Sequence, residues 1–524
     1  PHGSPHAPET ARFGLHGAIV AGADALRLPV RLSSDGYAVV LEDETTDRLT
    51  GTAGSVASLT LKELRALDFG ATFKSSDGKP FQYRARVETL PMLWDALPAG
   101  VWYFVDVKPE ADTKRKKALA QQIAKAAVNR GIDARVVVYS NDPVVRGEVR
   151  KISGSIILAA DVESGGGASA LQNVDALVVP LEAFLADPKV GARVRLGAIV
   201  VSPETRFSAE QYDRLRKLAT VWGITTNSIL ESTQLTRPGW VWVDEKWAQS
   251  AAKHEDVNAN TWRLGYAKYN PEKFCHVYPD KGLHIEIKPY NKPVATPATG
   301  DAVQDKLSAL TEDSWAALRT WPFYSGGGAG FAPGVRGDFS AEVDIESASA
   351  QQATTVELAA VNVDPATHIA PWKEVDGKWQ PNVPSSFRDK HTFYDPHGAP
   401  PFVGVEHDED DGWRINWNLG TDYDSNQYGK ASGDGKQLKG RMRLDRRGSD
   451  WAAFYRPAGL TALADWICVG ACRNESLNEV VYLRLAGKRW RQEDAAKPDQ
   501  FVPVIPNHFV FRNFNLTRFK ERES

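Results

Sequence analysis

Apolar positions in the first 230 residues fall in short runs, ALRLPV, YAVVL, WYFVDV, RVVVY, SIILA, ALVV and LGAIVV, separated by stretches with helical spacing. The clearest helical stretch is KRKKALAQQIAKAAVNRG, which Gly131 stops. Strand-length apolar runs that alternate with helices predict a parallel sheet, because each crossover helix covers one sheet face. With the opening residues and the final ATVWGITT run there are nine strand candidates. A (β/α)8 TIM barrel holds eight, so one is expected to lie off the barrel. Such a barrel carries its chemistry at the C-terminal ends of its strands. His2, Arg27, Glu42, Asp106 and Lys108 fall at or near those ends.

Beyond Gln234 the helical rhythm stops. Short alternating runs follow, among them GLHIEIKPY, FSAEVDIES, TTVELAAVNV, WRINWNL, GRMRLDR, VVYLRLA and HFVFRNFNL, divided by Gly, Pro, Asn and Asp. Of the sixteen Trp, only Trp94, Trp102 and Trp222 come before that point. This pattern predicts an antiparallel β-sandwich of the jelly-roll kind. Pro238-Gly239 reads as a turn at the junction. The expected organisation is a barrel over 1–235, a linker over 236–270 and a sandwich over 271–524.

Residues 22–50, GADALRLPVRLSSDGYAVVLEDETTDRLT, carry Gly22, Ala23, Asp24, Val30, Asp35, Gly36, Asp43, Asp47, Arg48 and Thr50 at distinctive spacing. This segment resembles the second and third barrel strands of the glycerophosphodiester phosphodiesterase family. Ala7-Pro8-Glu9-Thr10 is similar to that family's A-P-E-N-T, with His2-Gly3 the candidate for its H-R-G and His6 a competitor. VASLTLKELRALDFG, VETLPMLWDAL and FVDVKP extend the likeness, and VVVYSND and GITTN continue it thinly to about residue 230. The resemblance implies a barrel, and it places the family's metal-binding Glu, Asp and Glu on Arg27, Pro29 and Asp106. Its second catalytic His falls on Glu42, and its Lys is kept as Lys108.

The replacements bear on chemistry one at a time. Calcium or magnesium needs hard oxygen ligands. A guanidinium at position 27 puts a fixed positive charge about where the ion should sit, and Pro29 offers no side-chain ligand. Metal-assisted hydrolysis is therefore not expected, and no metal ligand is assigned. Three readings remain open. Arg27 and Lys108 could clamp an anion, with His2 as nucleophile or general acid. Arg27 could instead pair with Glu42 or Asp106 and close the site as an internal salt bridge. Glu42 and Asp106 could also form a catalytic carboxylate pair of the kind glycosidases use.

In the second half, RMRLDRRGSDWAAFYRP, ADWICVG, VVYLRLAG and FRNFNL follow one another in order. They resemble the concanavalin A-like, laminin-G-like modules of bacterial carbohydrate-active proteins over about residues 270–518. The resemblance implies a glycan-binding face, for which Trp372, Trp379, Trp413, Trp417, Tyr423 and Tyr428 are candidates. The competing reading puts these aromatics in the sandwich core. HDEDDGW (407–413) invites a structural calcium, although its spacing is not that of an EF-hand loop. No other cofactor is expected. The His residues show no zinc-ligand spacing.

Bulk properties bound what is left. A chain of 524 residues holds two or three domains. A net charge of -3 argues against a nucleic-acid partner. No run of about 18 apolar residues is present, so no membrane-spanning helix is expected. Cys275, Cys468 and Cys472 read as buried thiols. The chain starts at Pro1 rather than Met, as removal of a secretion signal would leave it. A secreted protein is expected from the sandwich's resemblance to extracellular modules.

Two function classes result. The first is an extracellular hydrolase or lyase on a carbohydrate or glycan-linked phosphodiester. It would use a metal-free pocket of Glu42, Asp106, His2, Lys108 and Arg27, with a glycan-binding sandwich. The second is a degenerate barrel kept as scaffold for a carbohydrate-binding or adhesion module. Retention of Lys108, Asp43 and Asp106 favours the first, and loss of two metal ligands and a His favours the second. Cleavage of a glycan-linked or glycerophosphodiester substrate is a third alternative.

Overall fold

The computed structural model describes residues 6–161 (except 10, 77 and 82), 173–202, 209–226, 230, 239–244, 251–253, 262–264, 275–287, 324–349, 351–364, 372–375, 378–381, 401–420, 427–432, 438–490, 493–494, 497–501 and 506–519. The chain divides into two compact units, residues 1–238 with 462–467 and residues 239–461 with 468–524.

The first unit holds strands β1 (Ala25–Leu32), β2 (Ala38–Val40), β3 (Trp102–Val107), β4 (Val136–Tyr139), β5 (Ile157–Asp161), β6 (Ala176–Pro180), β7 (Gly197–Ser202) and β8 (Val221–Thr226). β1 and β3 to β8 are parallel and lie side by side in chain order, which is the strand order of a β/α barrel. The opening residues, expected to add an eighth parallel strand, lie outside the described residues. β2 is the strand off the parallel set, and this corrects its placement as the third barrel strand. It pairs antiparallel with β1, from Val30↔Val40 to Leu32↔Ala38. The physical reason is the turn: Gly36 takes φ +84° and reverses the chain between Leu32 and Ala38. A parallel return needs a crossover of a dozen residues or more.

Among the described residues, eight helices accompany these strands: α1 (Arg12–Val20), α2 (Asp47–Thr50), α3 (Leu61–Ala66), α4 (Leu90–Ala96), α5 (Thr113–Asn129), α6 (Pro143–Ile152), α7 (Leu181–Ala186) and α8 (Ala209–Arg216). Their starts are written locally. Thr60 and Glu63 form a reciprocal capping box, and Thr89, Asp112 and Asp142 each accept a backbone N–H of the first turn. Strand alternation then sorts the sheet into two faces. Leu26, Leu28, Val30, Tyr103, Val105, Val136 and Val138 pack with Leu119, Ile123 and Ala127 of α5. Phe104, Val137, Ile157, Ala159, Ala176, Val178 and Ile199 form the cluster on the opposite face.

The second unit is β-rich. Its strands are β9 (Gly239–Asp244), β10 (Ala251–Lys253), β11 (Trp262–Leu264), β12 (Cys275–Pro279), β13 (Leu283–Ile287), β14 (Tyr324–Phe331) and β15 (Val335–Arg336). They continue with β16 (Phe339–Ser347), β17 (Thr354–Val361), β18 (Trp372–Val375), β19 (Lys378–Pro381), β20 (Phe402–Asp408), β21 (Gly412–Asn418) and β22 (Gln427–Ser432). The remainder are β23 (Lys439–Arg447), β24 (Asp450–Pro457), β25 (Ile467–Arg473), β26 (Val480–Trp490), β27 (Glu493–Asp494), β28 (Lys497–Phe501) and β29 (Asn507–Phe519).

One large sheet runs β10-β11-β14-β26-β17-β20-β21-β22 with β15 beside β26, and the other β12-β13-β29-β16-β23-β24-β25 with β9 beside β29. β10 pairs with β11 in parallel, whereas β16 with β23 and β29, β17 with β20 and β26, β20 with β21, and β23 with β24 pair antiparallel. The sheets meet through aromatic contacts. Trp262 of β11 meets Phe514 of β29 edge-on at 4.9 Å, and Trp413 of β21 stacks on Tyr455 of β24 at 5.1 Å. The stretch 236–270 is not simply the expected linker. The alternating GWVWVD run pairs with β29 from Gly239↔Phe519 to Asp244↔Phe514, and Trp262–Leu264 pairs with β14. Cys275, Cys468 and Cys472 are buried thiols outside any disulfide, and burial pushes Cys468 up to about 12.

Candidate functional site

Register builds the site in the first unit. Arg27 pairs with Phe104, Pro29 with Asp106 and Asp106 with Tyr139, so Arg27, Asp106 and Tyr139 share the face occupied by Phe104 and Val137. The hairpin brings in the next group. Because β2 returns antiparallel along β1, the Leu41 N–H donates to the Pro29 carbonyl at 2.9 Å. Glu42 follows at the level where Pro29 faces Asp106, and its carbonyl accepts from Arg31 Nε at 3.0 Å.

Four charges converge there. Arg27 donates to Asp106 Oδ2 through Nε at 3.1 Å and Nη2 at 2.5 Å. Lys108 Nζ lies 3.0 Å from the same oxygen and donates to Glu42 Oε1. Asp106 is only 3% exposed. Burial by itself works against charge on Arg27, but Asp106, with a further contribution from Glu42, raises its pKa, so the guanidinium stays charged. Tyr139 donates to Asp161 Oδ1 at 2.7 Å, and Asn141 donates to Asp161 Oδ2 at 2.8 Å. Burial, then Asp161, raises the Tyr139 pKa, so its hydroxyl remains a protonated donor. A separate clamp joins Arg48 to Asp43 and, at 2.8 Å, to Glu9.

This donor set does not fit the divalent ion that the family resemblance implies. Calcium and magnesium take several hard oxygens, and an anionic cage offsets their charge. Here the two carboxylates are matched by two cations, Pro29 adds no ligand, and Arg27 holds the shared Asp106 oxygen. The structure brings together Arg27, Glu42, Asp106 and Lys108, and Tyr139 and Asp161 beside them went unnoticed in the sequence. Parity with Asp106 on neighbouring strands was the signal that could have found them. His2 lies outside the described residues.

The aromatic candidates of the second unit divide by strand parity. Trp413 is 3% exposed, stacked on Tyr455 and edge-on to His407 at 4.7 Å. It fills the core and is no platform for a sugar, which corrects its assignment. Trp417 shares the parity of Trp413 and Ile415 and is half-buried. Trp372 and Trp379 belong to the hairpin of β18 and β19, and their side chains lie outside the described set, as does Tyr423. Tyr428 pairs with Asn416, on the parity opposite to Trp413. That face also carries Glu406, Asp408 and Arg414, of which sequence reasoning saw only Asp408, as part of an acidic run. Asp408 and Asp411 bond Arg414, and the backbone N–H groups of Asp410 and Asp411 donate to Asp408. These carboxylates build a hairpin turn around the Arg414 guanidinium.

Residues 6–145 match the model of the Glycerophosphoryl diester phosphodiesterase family, so this segment carries a domain of that phosphodiesterase family. An uncharacterized protein of Mycobacterium tuberculosis (strain ATCC 25618 / H37Rv) is 30% identical over 138 residues, 26% of this chain and 44% of the other. A glycerophosphodiester phosphodiesterase of Caldanaerobacter subterraneus subsp. tengcongensis is 28% identical over 152 residues, 29% of this chain and 59% of that enzyme. The chain thus spans about half the length of these curated relatives. The solved structure of an Oleispira antarctica phosphodiesterase in complex with the product sn-glycerol-3-phosphate aligns with 44% of this chain and 92% of that one, at 18% identity and a TM-score of 0.38. Among the described residues no helix is long and apolar enough to cross a membrane.

Proposed function

We propose that the phosphodiesterase-family domain has given up metal-assisted hydrolysis and serves as a scaffold for the β-rich unit, which binds carbohydrate. The observation that carries this reading is the double pairing of Asp106, held by Arg27 at 2.5 Å and by Lys108 at 3.0 Å. A phosphodiester would need unspent positive charge or a metal at this point to stabilise its transferring phosphoryl group. Both cations here already face carboxylates.

A hydrolase built on Glu42 and Asp106 is the second reading. What favours it is that both carboxylates contact the one Lys108 ammonium, so their nearest oxygens fall within the roughly 5.5 Å of a retaining glycosidase pair. The same ammonium counts against it, since it stands between the two groups where a glycosidic oxygen would have to lie.

Turnover of glycerophosphocholine and of extracellular polysaccharides, measured with added calcium or magnesium and with EDTA, tests the proposal. Turnover at background is expected in every arm. Phosphodiester cleavage that EDTA abolishes would sink the scaffold reading. Glycan cleavage indifferent to EDTA but lost in Glu42→Gln and Asp106→Asn would establish the second reading.

A further inference from the structure

We propose that His284 and His508 form a proton-operated latch, which holds the hairpin of β12 and β13 against β29 while the pair carries at most one proton and loosens it when both rings are protonated. The device belongs to the sheet that lacks Glu406 and is independent of whether the unit binds carbohydrate.

Strand alternation builds the cluster. Cys275, Val277, Leu283, Ile285 and Ile287 are buried, so His276, Tyr278, His284 and Glu286 share the outward face of the hairpin. β13 pairs with β29 from Leu283↔Phe511 to Ile287↔Asn507, which sets Glu286 opposite His508 and His284 diagonal to it. The rings of His276, Tyr278 and His284 stack in succession, with centres 4.6 and 4.9 Å apart. His508 ends the line, 5.1 Å from His284. β12 stands at the edge of the sheet, and β13 joins the hairpin to β29, so this seam is where the hairpin can part. The backbone of His508 is tied elsewhere, since its carbonyl accepts from the Ala348 N–H at 2.7 Å and its N–H donates to Ser349 Oγ at 2.9 Å. Repulsion across the seam is therefore relieved by movement of the hairpin.

The contacts decide where protons sit. His284 Nε2 lies 2.7 Å from the Asp280 carbonyl, which can only accept, so Nε2 carries the hydrogen and Nδ1 of the neutral ring is an acceptor. His508 Nε2 lies 2.8 Å from that Nδ1 and donates to it. A first proton, on His508 Nδ1, keeps this bond and strengthens it. A second proton, on His284 Nδ1, sets two N–H donors head to head with no acceptor between them. Of the surrounding charges, Glu286 lies 3.8 Å from His508 Nε2 and also accepts from the Tyr278 hydroxyl at 2.7 Å, which pushes Tyr278 up to about 12 and keeps it a donor. Asp280 and Lys281 flank the pair from the hairpin turn, His276 from β12, and Arg512 from β29, where Glu346 of β16 holds it. Burial, joined by His284 and Arg512, lowers the His508 pKa from its ordinary 6.5 against the pull of Glu286. A base whose folded pKa lies below its unfolded value contributes stability that is complete above 6.5 and is lost as pH falls through the folded pKa.

The cysteines supply the readout. Cys275 lies on β12 and is 0% exposed, whereas Cys468 and Cys472 lie on β25 at the opposite edge of the same sheet. Peptide-mapped labelling of the full chain with dithiodipyridine, a disulfide reagent that stays reactive in acid, is followed from pH 7.5 to 5. Over that range labelling of Cys275 should accelerate about tenfold relative to Cys468 and Cys472, a unit of lowered proton affinity being a factor of ten in opening. His284→Gln and His508→Gln, whose amide donates and accepts but takes no proton, should each abolish the gain. Equal acceleration of all three thiols would mean global acid unfolding and overturns the latch. A Cys275 rate that does not rise, or a rise that either folded variant keeps, overturns it as well. If His508→Gln does not fold, His284→Gln decides.

Discussion

Both units contain two carboxylates that share one cation, Glu42 and Asp106 on Lys108 in the first and Glu406 and Asp408 on Arg414 in the second. The two arrangements differ in what is left over. In the first, Arg27 adds a second cation to Asp106, and the charges close on themselves. In the second, Arg414 Nε and Asn416 Oδ1 are buried without hydrogen-bond partners. A closed ion-pair cluster has used the charges it could offer a ligand, whereas the second network keeps a donor and an acceptor unsatisfied. On the proposed reading, the unit resembling an enzyme is the less suited of the two to engage a ligand.

Removing the shared or doubled cations tests this contrast most severely. Arg414→Ala should cost about 3–5 kcal/mol, because it strands Glu406 and Asp408 in a buried site. The shift in denaturant midpoint of the second unit measures it, and a cost below about 1 kcal/mol would mean that water already reaches these carboxylates.

Next in size is a pH effect at Asp408. Burial pushes its pKa up to about 6, Arg414 opposes this, and Glu406 adds to it. A carboxyl whose folded pKa stands above its unfolded value contributes stability that is full below about 3.8 and is lost as pH rises through about 6. Asp408→Asn removes this dependence. Melting curves from pH 4 to 7.5 should therefore show the variant gaining on the parent protein as pH rises, by on the order of 2 kcal/mol. A difference that shrinks with pH would show that the Arg414 contact, and not burial, governs Asp408.

Arg27→Ala should cost less, about 1–2 kcal/mol, since Lys108 still holds Asp106 and Arg27 is partly exposed. A loss as large as that of Arg414→Ala would show that Lys108 cannot hold Asp106 alone, and the closed-cluster reading would fail.

Much of this was legible in the chain, and the gaps have physical causes. Parallel strands and crossover helices follow from apolar runs and caps such as Thr60 and Asp142, which act over a few residues. The pairing of Arg27 with Asp106 depends on the register Pro29↔Asp106 between β1 and β3, which no spacing within either strand states. The arrival of Glu42 depends on β2 running backwards. Asp35-Gly36 signalled that turn, but the two runs it joins were placed as the second and third barrel strands, which so short a turn cannot join in parallel. In the second unit the acidic run 407–413 hid a hairpin. Gly412 at φ +81° closes a short loop with Asp408 opposite it, and from there Glu406 must face Arg414. Reading the run as the closure of a hairpin would have exposed the pairing of Glu406 with Arg414, whereas weighing it only as a solvated acidic turn or a calcium site concealed it. Trp413 was misjudged because its type suits a sugar platform and a core equally well, and only strand parity separates the two.

The smallest stability effect separates the two roles most cleanly. Tyr428 is half exposed and lies opposite Asn416, so Tyr428→Ala should move the unfolding midpoint by less than about 0.5 kcal/mol. Arg414 keeps Glu406, Asp408 and Asp411 after the ring is gone, so the network beneath has little reason to rearrange. A side chain whose loss leaves folding intact while weakening oligosaccharide binding serves recognition. A side chain whose loss lowers both in proportion serves packing, and in that case the contrast between a closed cluster and an open one would have to be drawn without Tyr428.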